Sequence, residues 1–217
     1  MKIFLSFIVA IILIVSCQSK DKKKTADENV VVSKIDRGDQ TLLSDSAWGW
    51  VNPSHTIDSL KMIFGDSLVK DERICGAECA DSVDVTIIYP NSNNEFIIYW
   101  DDSAYHKKIV FIRTYNAKSP YHTSRGIKMG TTLKEILDLN GKPISFSGLG
   151  WDYGGGIGSF NGGALMGSNV RFTLDITDNP SGDNSIYGDV ELNTEMPAVK
   201  RLVDKIHVSE LFLPFNR

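Results

Sequence analysis

Half of the chain's 18 glycines fall between Gly148 and Gly167, in the stretch GLGWDYGGGIGSFNGGALMG. Such density argues against a helix there and leaves little side-chain surface for a long strand, because glycine loses more backbone entropy on ordering than any other residue. The segment is a set of tight turns, a phosphate-gripping loop or a lid. Spacing tests the second choice. A Walker loop needs a glycine followed by lysine, and no glycine of the run precedes a lysine. A dinucleotide fingerprint needs G-x-G-x-x-G. Gly148 and Gly150 begin one, but Tyr153 holds the third position, and the start at Gly156 and Gly158 fails at Asn161. A serine elbow needs G-x-S-x-G, which Ser159 in GIGSF does not meet. Turns and recognition remain. FNGGA, 160–164, reads as a hairpin turn, since Asn-Gly suits the primed turn types. Trp151, Asp152 and Tyr153 are the candidate binding residues, because aromatic side chains bury large area at small entropic cost. In the competing reading Trp151 and Tyr153 plug the core.

Around this run the chain alternates between short helices and strands. TIDSLKMIFG has Thr56 to cap a helix, Ile57 and Leu60 at helical spacing, and Gly65 to end it. TLKEILDLNGKP has Thr132 and Glu135 as a capping box, Leu133, Ile136 and Leu139 as a stripe, Gly141 as terminator and Pro143 as a block. A constant shift of 76 residues carries Thr56, Leu60 and Gly65 onto Thr132, Ile136 and Gly141. Strand-like runs follow each helix: VDVTIIY, EFIIYW and KIVFIRTY after the first, ISF, NVRFTLDI and IYGDVEL after the second. PNSNN supplies hairpin chemistry between the first two, and DNPSGDN reads as a polar hairpin turn rather than a calcium loop. The end reads as a helix from Pro197 and a strand from about Ile206. The prediction is an α+β domain over 47–217. It comprises two related helix-plus-antiparallel-sheet halves, 54–125 and 130–195, with a C-terminal helix and strand.

The first sixteen residues have the anatomy of a secretory signal: Met1-Lys2, then an apolar stretch too short to span a bilayer comfortably. Its end, Ile14-Val15-Ser16-Cys17, resembles the lipobox of bacterial lipoproteins. That resemblance implies cleavage before Cys17 and acylation of its thiol and amine, with two or more chains making a stable anchor. Gln18 rather than Asp after the cysteine implies sorting to the outer membrane. Residues 17–46 read as the lipidated cysteine and a flexible tether, since QSKDKKKTADEN has no apolar periodicity. About 25 such residues reach roughly 27 Å.

Two further cysteines, Cys75 and Cys79 in CGAEC, are expected to form a disulfide in an oxidising compartment. A metal site, redox chemistry and free thiols are the alternatives. The formal net charge of −4 argues against a nucleic-acid partner. His55, His106, His122 and His207 share no motif with a nucleophile, and no cofactor or metal site is expected. The stretch GIKMGTTLKEILDLNGKP, Gly126 to Pro143, with its weaker echo HTIDSLKMIFGDS, resembles the SmpA/BamE group of outer-membrane lipoproteins and β-lactamase inhibitory protein. Those families bind other proteins through a sheet face and loops, so the resemblance implies a non-catalytic module for a protein or envelope-polymer partner. Rival readings are a periplasmic hydrolase or redox enzyme, and a sugar-binding module using Trp48, Trp50, Trp151 and Tyr153.

Overall fold

Three short helices and twelve strands account for the regular structure of the computed structural model, which describes residues 38–76, 82–101 and 106–215. The signal, Cys17 and Cys79 lie outside the described residues. The two helices expected from sequence form with the same chemistry. In α1 (Ile57–Phe64) the Thr56 hydroxyl accepts from the Ser59 N–H, and the Ser59 hydroxyl returns the bond to Thr56. In α2 (Leu133–Asn140) Thr132 and Glu135 do the same. Each reciprocal pair satisfies donors that the first helical turn leaves without partners. Gly65 and Gly141 follow the helices with φ of +88° and +69°. Leu60, Leu133 and Ile136 are fully buried in one core, with Ile57 and Leu139 packed against it.

The strands sort into three sheets. β1 (Leu42–Ser44), β2 (Ala47–Trp48) and β7 (His122–Thr123) make a small sheet in the order β2-β1-β7. The main sheet has six strands: β3 (Val69–Cys75), β4 (Ser82–Ile88), β5 (Phe96–Trp100), β6 (Ile109–Thr114), β10 (Arg171–Ile176) and β12 (Ile206–Pro214). Its order is β10-β12-β6-β5-β4-β3, with every neighbouring pair antiparallel. β8 (Ser145–Ser147), β9 (Ile157–Ser159) and β11 (Glu191–Asn193) form the third sheet, and α3 (Pro197–Lys200) precedes β12. The molecule is thus an α+β fold. After α1 the chain makes the meander β3–β6. After α2 it makes the third sheet and sends β10, then β12, to extend that meander.

Four local expectations change. The fold begins before residue 47: Leu43 in β1 is 1% exposed and pairs with Trp48 and Thr123. β3 was not anticipated, because Lys70-Asp71-Glu72-Arg73 has no apolar alternation. It is a sheet edge, where charges block pairing with other chains. Asn161 and Gly162 both have positive φ, 51° and 70°, as a primed turn requires, but the turn closes no hairpin, since β9 pairs with β8. DNPSGDN likewise links strands of different sheets, because β11 pairs with β8.

Candidate functional site

The main sheet buries one face and leaves the other half open. Along β5, Phe96, Ile98 and Trp100 are buried while Ile97 and Tyr99 are half-buried. Along β6, Ile112 and Thr114 are buried while Phe111 and Arg113 are half-buried. Alternation of side chains along a strand places Tyr99, Phe111 and Arg113 on the face away from the core. Tyr99 and Phe111 are direct cross-strand partners, and their rings stack at 4.1 Å with 15° between planes. The strand sequences here are apolar on both faces, which in a buried strand means two packed layers. In this fold it means one core face and one open apolar face.

At the centre of that face sits an ion pair. Arg113 Nε lies 2.6 Å from Glu210 Oε1, with side-chain exposures of 24% and 11%. A bulge brings Glu210 there: the register between β10 and β12 shifts at Thr173/Leu174, which adds Ser209 to one strand. Burial pushes the Glu210 carboxyl above its ordinary range, and Arg113 pulls it back. The Arg113 guanidinium also lies 4.1 Å from the Tyr115 ring centroid, 5.8 Å from Tyr99 and 6.0 Å from Phe111.

The glycine run overhangs this face at its β10 end. Gly155 has φ +71°, and its carbonyl accepts the Leu174 N–H at 2.9 Å. Any Cβ there would overlap the Leu174 carbonyl. Gly155 is glycine because the backbone must both turn left-handed and press against β10. Further on, a Cβ at Gly163 would overlap the Asn140 amide. That amide, at the end of α2, donates to the carbonyls of Lys142 and Phe160 and accepts from the Leu165 N–H. The run is therefore a folded structure held at two points, Gly155 and Gly163.

Just before the first of those anchors it displays the predicted binding residues. Trp151 Nε1 donates to the Gly148 carbonyl at 3.0 Å, and the Trp151 and Tyr153 rings meet edge to face at 5.5 Å. Trp151 is 39% exposed and Tyr153 59%. The core-plug reading fails at both residues. Trp151, Asp152 and Tyr153 rim a trough of about 1580 Å³ whose floor includes Tyr99, Phe111, Arg113, Thr173, Glu210 and Phe212. The floor was missed in the sequence. Its one signal was the two-faced apolar character of β5 and β6.

The other candidates do not join this site. Trp48 is 1% exposed and packs on Phe96 and Tyr121, so the four-ring sugar platform does not assemble. Trp151 and Tyr153 are also far from coplanar, at 68°. Cys75 is disulfide-bonded and lies at the trough's β3 end. His106 approaches Asp71 at 4.0 Å, and Asp71 accepts from the Thr86 hydroxyl at 2.6 Å. That hydroxyl is buried and committed as a donor, so it faces no substrate. His55 accepts the Asn52 N–H, and His122 lies 3.8 Å from Asp39. Asp183 caps a short 3-10 turn through Ser185 and pairs with Arg201 at 2.9 Å. Among the described residues, no three His, Cys, Asp or Glu side chains are grouped to hold a metal ion.

Comparison with known proteins supplies no function. No protein family and no curated protein matches the sequence. A solved structure, the uncharacterized protein yfeY from Escherichia coli, superposes with a TM-score of 0.45 at 14% identity, covering 80% of this chain and 99% of that one.

Proposed function

We propose that this protein is a lipid-anchored envelope module that binds a partner non-catalytically in the trough of its main sheet. The observation that carries the reading is the exposed Trp151–Tyr153 pair held over an open, half-apolar sheet face. Exposed aromatics on a rigid mount are the side chains that dominate binding interfaces. The lipobox ending in Cys17 supports the anchor, and the sequence QSKDKKKTADEN after it, without apolar periodicity, supports display away from the lipid surface. The partner is a protein or an envelope polymer. The test is a photo-crosslinking residue at position 153 of the lipidated protein in intact cells. A discrete crosslinked species that disappears in Trp151→Ala, with thermal stability unchanged, is the expected result. Crosslinks insensitive to Trp151→Ala would sink the reading.

A further inference from the structure

The trough carries a charge pattern that selects among partners. Its lining runs from Ile74 and Val83 on β3 and β4 to Thr173 and Asp175 on β10. The main sheet has six strands. Five gaps of about 4.8 Å make roughly 24 Å, the length of roughly seven residues of extended chain. A span of that kind suits a polypeptide segment better than a small molecule. Among the described residues, three carboxylates line it, Asp152, Asp175 and Glu210, against the single basic residue Arg113. Glu210 and Arg113 neutralise each other. Asp152 and Asp175 carry no ion pair among the described residues, and Asp175 accepts only the N–H of the adjoining Ile176. Asp152 stands between Trp151 and Tyr153 in the chain, and Asp175 on β10 lines the same trough as their exposed rings. Aromatic faces attract cations. The trough already uses that attraction, with three rings around the Arg113 guanidinium.

Resting on the binding role proposed above, we infer that the trough takes an extended basic polypeptide segment, with Lys or Arg side chains reaching Asp152 and Asp175 and apolar side chains lying on Tyr99, Phe111 and Phe212. An anionic polymer would meet two uncompensated carboxylates. A second copy of this chain would bring the same acidic face and repel.

The test uses the full chain in detergent with two synthetic peptides of roughly seven residues, one alternating Lys with Phe and one alternating Glu with Phe. Calorimetry should find the lysine peptide bound at least about tenfold more tightly than the glutamate peptide, with affinity falling as salt rises. The double variant Asp152→Asn, Asp175→Asn should lose about tenfold for the lysine peptide and flatten the salt dependence, at unchanged melting temperature. Three outcomes overturn the inference: no binding of the lysine peptide, equal or tighter binding of the glutamate peptide, or an affinity untouched by the double variant. A concentration-dependent dimer that the lysine peptide fails to dissociate overturns it as well, by making a second copy the occupant. Failure here is separable from failure of the binding role. Trp151-dependent crosslinks from position 153 would then persist, with a partner of other chemistry.

Discussion

At the residue scale, two glycines of the run are explained by what a side chain would strike. Gly155 faces the Leu174 carbonyl and Gly163 faces the Asn140 amide, so each marks a close approach rather than a flexible point. Gly155→Ala combines a left-handed φ with that overlap. It should destabilise the fold by about 2 kcal/mol or more. Gly167 is also left-handed, but a Cβ added there would meet open space, so Gly167→Ala should cost about 1 kcal/mol. Urea denaturation ranks the two, and equal losses would remove the close-approach argument. The Arg113–Glu210 pair makes a second residue-scale prediction. Burial alone raises the Glu210 pKa, so its ionisation opposes folding as pH rises through the unfolded value. Arg113 offsets that cost at neutral pH. Arg113→Met should therefore lose about 3 kcal/mol at neutral pH and recover part of it on acidification toward the unfolded pKa of glutamate, where the carboxyl protonates. Stability curves at the two pH values check it, and a pH-independent loss would contradict the desolvation account.

At the element scale, α1 and α2 are each eight residues long, too short to persist in isolation. Their caps and their packing hold them. Leu133 is fully buried, whereas the Lys134 side chain makes only an exposed pair with Asp204 at 3.7 Å. Leu133→Ala should cost about 2–5 kcal/mol and Lys134→Ala within about 0.5 kcal/mol. Similar losses would mean a misassigned helix face. Thr132→Ala should cost about 1 kcal/mol, because it removes the hydroxyl's share of the capping exchange. The backbone N–H and hydroxyl of Thr132 hold the Glu135 carboxyl below its ordinary range. The stability this lends is present above the unfolded pKa and is lost as pH falls through the folded one. The cost of Thr132→Ala should accordingly shrink in acid, as denaturation at neutral and acid pH would show.

At the scale of the whole molecule, the main sheet is one layer, packed against the core on one side only. That arrangement leaves Ile97, Tyr99, Phe111 and Phe212 half-covered rather than packed under a second layer. The open face persists because its centre is pinned by Arg113 and Glu210 and its β10 end is roofed by the glycine run. Trp151→Ala with Tyr153→Ala should leave stability within about 0.5 kcal/mol of the parent, since both rings sit at the surface. Thermal or urea denaturation checks it. A large loss of stability would return these rings to a structural role and remove their claim to a partner.

How much was legible in the sequence differs between the helices and the trough. Helix caps, stripes and terminators are local, set by residues three and four apart, so α1, α2 and their glycines could be read directly. Strand existence was also local where β-branched and aromatic residues clustered, as in β4, β5, β6, β10 and β12. The charged β3 and the short β1, β2, β7 and β9 carried no such signal, because pairing rather than side-chain pattern makes them strands. Trp151, Asp152 and Tyr153 stood out as aromatics and a carboxylate among glycines. Whether they pointed inward or outward depended on Gly155 meeting Leu174, a contact between separate parts of the chain. The trough floor was further from reach. Tyr99 and Arg113 sit in ordinary strand sequence, and Glu210 arrives beside them only through a bulge and the insertion of β12 between β6 and β10. Sequence alone determined the capped helices and the bulk of the strands, because those depend on neighbours. Only the tertiary structure decided which sheet face stayed open and which charges met there, because strand order and register are set by contacts across the whole fold.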